Sequence, residues 1–248
     1  MSSSHTSEIV GTNRILAALS PEQYPLLFSN LQLIDLPRSK VIYGVGDSMT
    51  HCFFINSGMI SLLAVTEDGS AAEISMVGNE GFIGVPALLG INKAPYCIEV
   101  QLPVKAMRVK TDTLVREFKR GGPLQELTLR YAHSLISQIS QSTACNTFHT
   151  IGQRLARWLL ISRDRVNSNA IPLTHEALSH MLGSSRTTVS EAASSLKAKG
   201  LIDYRRGNIQ IINGRELERT ACECYRMVTE SINHFAPPGT VEIPRKNF

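Results

Sequence analysis

The sequence predicts an α+β protein: an N-terminal β-roll of jelly-roll type, one long helix, and a C-terminal winged helix-turn-helix. Three observations predict it. Between Leu33 and Thr111, short alternating apolar runs are broken by turn signals roughly every ten residues, as in all-β sandwiches and barrels. From Leu124 to Cys145, apolar residues recur at three- and four-residue spacing. From Pro172 to Ile212 the chain reads as helix, glycine turn, helix and basic hairpin. The 248 residues suffice for one or two cored domains. The expected division is 13–122 for a sensing β-roll, 123–146 for a dimerisation helix, 147–220 for the winged helix-turn-helix, and 221–248 for a final helix and tail.

Met1 to Thr12 is polar and Ser-rich, a tail. Asn13 to Leu31 reads as helical, with Ile15, Leu16 and Leu19 apolar and Ser20-Pro21-Glu22 opening a second helix. The roll's strands are expected at Val41–Tyr43, Cys52–Ile55, Ile60–Val65 and Ala72–Val77, with Asn56-Ser57-Gly58 and Glu67-Asp68-Gly69 as turns. After an interruption at Gly78–Lys93, strands resume at Tyr96–Leu102 and Val104–Val109; such a roll often encloses a small ligand. A short helix over Thr111–Lys119 stops at Gly121-Gly122-Pro123.

In the long helix, Leu124, Leu127, Tyr131, Leu135 and Ile139 form one stripe and Leu129, Ala132 and Ile136 a second. A helix apolar on two stripes has two partners: its own roll and, on this reading, its copy in a second subunit; a helix wholly inside one core is the alternative. Asn146–Thr150 reads as a hinge. Ile151–Val166 is amphipathic, with Leu155, Trp158 and Leu159 inward and Arg154 and Arg157 outward. Asn167-Ser168-Asn169 is a turn.

The winged unit follows from local chemistry. Thr174 is a good N-cap and Glu176 an acid in the first turn; Leu178, Met181 and Leu182 make an apolar stripe. Small Ser179 lets two backbones approach, Gly183 takes the turn, and Val189 plugs the angle between the helices. The second helix, from about Ser185 to Lys199, buries Val189, Ala192, Ala193 and Leu196 and stops at Gly200. Its opposite face offers Ser185, Arg186, Thr187, Ser190, Glu191 and Ser194, donors and acceptors suited to base edges in a major groove; Arg186 suits guanine O6 and N7. Leu201–Tyr204 and Ile209–Ile212 flank Arg205-Arg206-Gly207-Asn208, a hairpin with cations at its tip. Thr174, Thr188, Lys197, Arg205 and Arg206 are the candidate phosphate contacts. An ordinary αα-hairpin in a core is the competing reading. Asn213-Gly214 then turns into a helix expected over Glu216–Asn233, and the Pro-rich stretch from Pro237 reads as disordered.

Net charge is +4, unevenly spread. Residues 147–248 hold 14 basic and 9 acidic side chains, against 11 and 12 before them, so the basic surplus lies with the expected nucleic-acid reader. Five scattered cysteines make no disulfide framework and point to a reducing cytoplasm. Neither a signal-peptide core at Met1–Arg14 nor an apolar run of about 18 residues is present, so no membrane partner is expected.

The order of roll, long helix and winged helix resembles the bacterial Crp–Fnr family, the cyclic-AMP receptor and fumarate–nitrate regulators, from about Asn13 to Ile212. Gly183-Ser184-Ser185-Arg186-Thr187-Thr188-Val189 is similar to that family's turn and recognition-helix start, and Gly200-Leu201-Ile202 and residues 150–160 are similar too. The resemblance implies a cytoplasmic transcription regulator, no enzyme, dimeric along the Leu124–Cys145 helix, with double-stranded DNA, its own copy and RNA polymerase as partners. It implies that Arg186, Thr187 and Ser190 reach bases; many members have Glu where Thr187 stands, so base preference should differ. Gly81-Phe82-Ile83-Gly84 resembles the family's phosphate cassette, and with Tyr131 it forms the expected effector pocket. Nucleotide binders have Glu in the place of Phe82 and an Arg-Ser or Arg-Thr pair near Lys93-Ala94-Pro95-Tyr96. Burying a phosphate without its arginine costs several kcal/mol, so cyclic AMP is not expected.

No cofactor or metal is expected from the sequence. Iron–sulfur members use N-terminal cysteines, and here none precedes Cys52. Cys222-Glu223-Cys224 lies inside the helix expected over 216–233, where alternate positions point about 200° apart and the thiols should diverge. His51, His133, His149, His175 and His180 fall in no H-x-H or H-E-x-x-H pattern. Three functions compete. A DNA-binding regulator needs the exposed arginines. A small-molecule receptor whose C-terminal domain binds protein in place of DNA leaves them idle; a small-molecule or redox/haem receptor of the same architecture is the alternative for the sensor. A metal-dependent cupin enzyme needs clustered ligands, and the strands offer only His51.

Overall fold

The computed structural model describes residues 12–205 and 207–235. The N-terminal tail over 1–11 and the Pro-rich stretch from 237 lie outside them.

Two short helices, α1 (Arg14–Ala17) and α2 (Pro25–Ser29), open the fold. Asn13 caps α1, accepting from Ile15 N and Leu16 N. Its buried Nδ2 donates to Ile55 O and Gly81 O, both at 2.8 Å, tying the start of the chain to the roll. The second helix begins at Pro25, not at Ser20-Pro21 as expected. Proline at N1 needs no N–H partner, and the Tyr24 backbone outside the helical region sets the entry.

The roll consists of β1 (Gln32–Leu36), β2 (Val41–Tyr43), β3 (His51–Val65), β4 (Ala71–Val77), β5 (Phe82–Ile83), helix α3 (Val85–Leu88) and β6 (Cys97–Lys110). The strands pair in the order β1-β6-β3-β4, with β2 on β6 and β5 on β3. Four of the expected strands fuse into two: Cys52–Ile55 and Ile60–Val65 are one strand, as are Tyr96–Leu102 and Val104–Val109. Asn56-Ser57-Gly58 is a bulged stretch of β3 in place of a turn. Gly58 has φ of 86°, and a Cβ there would sit 2.1 Å from Pro103 O, so glycine lets β3 and β6 stay paired through the irregularity.

Helix α4 (Thr111–Lys119) leads through Gly121 and Gly122, both at positive φ, into α5 (Pro123–Phe148). Leu124, Leu127, Tyr131 and Leu135 of α5 are buried in one core with the roll. Of the second stripe, Ala132 is buried but Leu129 and Ile136 are 45% and 61% exposed. The helix continues three residues past the expected Cys145, and the break falls at His149–Thr150.

Helix α6 (Ile151–Val166) starts from a Thr150–Gln153 capping box. Arg157, expected outward, is buried, as is Arg165. The reason is packing on several sides: Leu155, Trp158 and Leu159 share a core both with Met59, Leu63, Met76 and Leu102 of the roll and with the helices that follow. Those are α7 (His175–Leu182) and α8 (Arg186–Ala198), flanked by strands β7 (Ala170–Ile171), β8 (Ile202–Arg205) and β9 (Asn208–Ile211) in the order β7-β9-β8. Strand β7 adds a third strand to the expected hairpin, next to the Asn167 turn.

The helix expected over Glu216–Asn233 is two helices, α9 (Gly214–Thr220) and α10 (Cys224–Phe235). Ala221 is extended, with φ −66° and ψ 157°. The break re-aims the chain so that Cys224, Tyr225 and Val228 become buried, with α10 lying along α5 and α6. No helix among the described residues is long and apolar enough to cross a membrane.

Candidate nucleic-acid interface

The α7–α8 corner is built as its residues dictate. Thr174 Oγ1 accepts from Ala177 N and caps α7; Gly183 ends it in the left-handed region at φ 54°. Ser185 Oγ accepts from Thr188 N and caps α8. Ser179 and Val189 are buried at the corner, and Ala192, Ala193 and Leu196 anchor α8 inward.

That anchoring leaves Ser185, Arg186, Thr187 and Glu191 exposed on one face, with Thr188 and Ser190 half-buried beside them. Ser185 and Thr188 hydroxyls lie 2.9 Å apart, so both are already engaged in the cap.

Lys197 and Arg205 are exposed, but Asp203 holds both: Lys197 Nζ at 2.7 Å from Oδ1 and Arg205 Nε at 2.8 Å from Oδ2. The hydrogen bond from Lys197, with the backbone N–H of Tyr204, keeps the Asp203 carboxyl below its ordinary pKa. Asp203 was missed in the sequence because one partner, Lys197, lies on a different element, and the other, Arg205, two residues along the same strand, read only as a hairpin-tip cation. Arg206 lies outside the described residues. Lys197 and Arg205 thus meet at Asp203, between the last turn of α8 and strand β8.

The residues expected to line an effector pocket lie together, with little space among them. Gly81, Phe82, Ile83 and Gly84 form the β5–α3 entry, and Tyr131 from α5 covers it. Phe82 is buried, stacked on Phe54 and tilted against Tyr131, each at 5.3 Å between ring centroids. A Cβ on Gly81 would meet the Tyr131 ring at 2.3 Å. What space is left is a void of about 10 Å³, lined by Met49, Leu62, Phe82, Ile83, Gly84, Val85, Tyr96, Ile98 and Leu135. Such a void is barely a water's size, and none of its lining side chains is charged. Helix α3 is one turn long, and Pro86 in that turn has no N–H to offer an anion. The adjacent Glu80 points elsewhere, paired with buried Arg165 at 2.8 Å.

The cysteines correct the sequence reading most. Cys222 and Cys224 do not diverge, because Ala221 breaks the helix and puts Cys222 in the link and Cys224 at the first position of α10. They meet Cys145 and His149 from the end of α5. One ligand atom from each of the four lies within 4.8 Å of all the others, a set that could hold a metal ion. Cys145 Sγ and Cys222 Sγ are 3.5 Å apart, as are Cys224 Sγ and His149 Nδ1. The Cys222 thiol hydrogen-bonds to Cys145, which lowers the pKa of Cys145 against the effect of burial and raises that of Cys222. The signal was present in the sequence: Cys145 and His149 are four residues apart at the end of the long helix, and a Cys-x-Cys follows.

Comparison with known proteins agrees with this architecture. Residues 153–220 match the family model of the Crp-like helix-turn-helix domain, and residues 33–120 that of the cyclic nucleotide-binding domain. The global nitrogen regulator of Nostoc sp. is 26% identical over 184 residues, spanning 70% of this chain and 82% of that protein. The CRP-like cAMP-activated global transcriptional regulator of Mycobacterium tuberculosis is 22% identical over 221 residues, spanning 86% and 99%. A solved transcriptional regulator of the Crp/Fnr family from Eubacterium rectale superposes with a TM-score of 0.67 at 18% identity, covering 83% of this chain and 96% of that one.

Proposed function

Because the chain belongs to the Crp/Fnr family of DNA-binding transcription regulators, we propose that it acts as a homodimer on a palindromic operator, through α8, with a sensor roll that does not take a cyclic nucleotide. The observation that carries this reading is the exposed polar face of α8, led by Arg186, in the same unit as a hairpin on which Arg205 is exposed. On this reading Ser185, Arg186, Thr187, Ser190 and Glu191 face base edges. Thr174, Thr188, Lys197, Arg205 and Arg206 face phosphates, which position the protein without reading sequence.

The exposed Leu129 and Ile136 supply the seam between two copies of α5. Two-fold symmetry then places two copies of α8 in successive major grooves, about 34 Å apart. Such a dimer acts in the cytoplasm and hands its signal to RNA polymerase.

The relative from Mycobacterium tuberculosis is described as cAMP-activated. In this chain the corresponding place is closed by Phe82 and Tyr131 and lined without charge, which supports a different effector. Calorimetry with cyclic AMP is expected to give millimolar affinity or none; micromolar binding overturns the sensor reading. For the DNA reading, selection from random duplexes with the full chain is expected to return a two-fold symmetric motif. Retention without sequence preference, or a motif lacking symmetry, overturns it.

A further inference from the structure

We propose that Cys145, His149, Cys222 and Cys224 form a closed tetrahedral site for one Zn²⁺ ion, which staples both ends of the winged-helix segment to the foot of the long helix.

The geometry points to a single ion. With Zn–S near 2.3 Å and Zn–N near 2.0 Å, the ligand atoms of a tetrahedral site lie about 3.4–3.8 Å apart. Two of the contacts here are 3.5 Å, and all four atoms fall within 4.8 Å. An iron–sulfur cluster sits inside its cysteines and needs their sulfurs much further apart than this. Three thiolates and an imidazole are a soft set in a closed arrangement, the donor pattern of structural zinc.

The surroundings are arranged as for a metal. His149 Nε2 lies 3.2 Å from Glu223 Oε2. An Nε2–H donating to that carboxylate leaves the Nδ1 lone pair facing Cys224, the outer-shell pairing that orients metal-bound histidines. Gln141 Nε2 donates to Cys224 Sγ at 2.9 Å, a hydrogen bond that favours thiolate.

Charge gives a second, independent indication. Arg157 is buried and donates to Ser142 Oγ at 3.2 Å, one turn before Cys145; it forms no direct ion pair among the described residues, and the one carboxyl it acts on from a distance, Glu73, is pushed up to about 7 by burial. A buried guanidinium needs a counter-charge. Zn²⁺ with three thiolates carries a net charge of −1 and supplies it. On binding, the three thiols release their protons to solvent and the neutral imidazole keeps its own on Nε2.

The staple follows from chain order. Cys145 and His149 stand where the chain enters the winged-helix segment, and Cys222 and Cys224 where it leaves. One ion would close that whole loop at a point.

The test is metal analysis of the full chain, purified under reducing conditions in chelator-free buffer. About one zinc per chain is expected. Cys222→Ser and Cys224→Ser should each lose it, while Cys52→Ser keeps it; Glu223→Gln should weaken retention about tenfold. Co²⁺ replacement should give the visible absorption of a tetrahedral thiolate site. Chelation should lower Tm in the wild type and leave folded Cys222→Ser unmoved, which separates the metal from a mere packing role. Folded wild-type protein that carries no transition metal and rejects added Zn²⁺ overturns the proposal. So does iron accompanied by acid-labile sulfide.

Discussion

The indole Nε1 of Trp158 donates a 2.9 Å hydrogen bond to Oε1 of Glu73, joining helix α6 to strand β4 in the interior between the roll and the winged-helix segment. Ser61 donates to the other carboxylate oxygen. Burial pushes the Glu73 carboxyl up to about 7, against the pull of those bonds and of Arg157 and Arg165. The folded state therefore holds this proton more tightly than the unfolded chain. The resulting stability is full below the ordinary value of 4.5 and is lost as pH rises through about 7. Glu73→Gln should flatten that slope and be more stable than wild type above neutral pH, by on the order of 1–3 kcal/mol. Denaturant melts across the range check this; parallel slopes for the two proteins would remove Glu73 as the cause.

Arg165 and Glu80 form a second link between the same bodies. Both are buried, and Arg165 also donates to Met76 O at 3.0 Å and Gln138 Oε1 at 3.2 Å. Burial alone would raise the Glu80 pKa, but the charge and hydrogen bonds of Arg165 bring it below the ordinary value. Arg165→Met should cost about 3–5 kcal/mol, because it strands a buried carboxylate. Adding Glu80→Gln to it should recover part of the loss in urea melts. A double variant no better than the single one would contradict the pairing.

Arg186→Ala should weaken binding to a selected operator by about 1–3 kcal/mol and relax one base position in each half-site. Titration calorimetry on the operator and on single-base variants reads both. Undiminished affinity would take α8 out of the groove.

Arg205→Ala should weaken binding on every sequence and reduce the slope of log K against log salt by about one. Asp203→Asn should do the reverse, since it frees Lys197 and Arg205 from their carboxylate. A salt slope unchanged in both variants would remove the hairpin from the phosphate contacts.

Leu129 and Ile136 are exposed on α5, away from the face that packs on the roll. Leu129→Glu with Ile136→Glu should shift the protein to monomer in sedimentation without loss of helix content. A double variant that stays dimeric would place the seam elsewhere.

The DNA-reading corner was legible from sequence because each of its signals is local. Thr174 and Ser185 cap the turns that follow them, Gly183 supplies the left-handed residue between helices, and the apolar stripes through Leu178 and Val189 repeat at helical spacing. The long helix was legible for the same reason, down to the stripe of Leu129 and Ile136 that its own subunit does not fully cover. Only tertiary structure decided the rest. Arg157 read as a surface residue until α6 is packed on several sides at once, which buries Arg165 as well. The ring of Tyr131 over Gly81 belongs to a helix fifty residues further on, so its tight packing on Gly81 and Phe82 has no local sign. The four metal-type ligands depend on one extended residue, Ala221, and on α10 lying along α5. Sequence periodicity reports how a segment is wound; it does not report which distant segment will lie against it, and convergence of side chains is a property of that second choice.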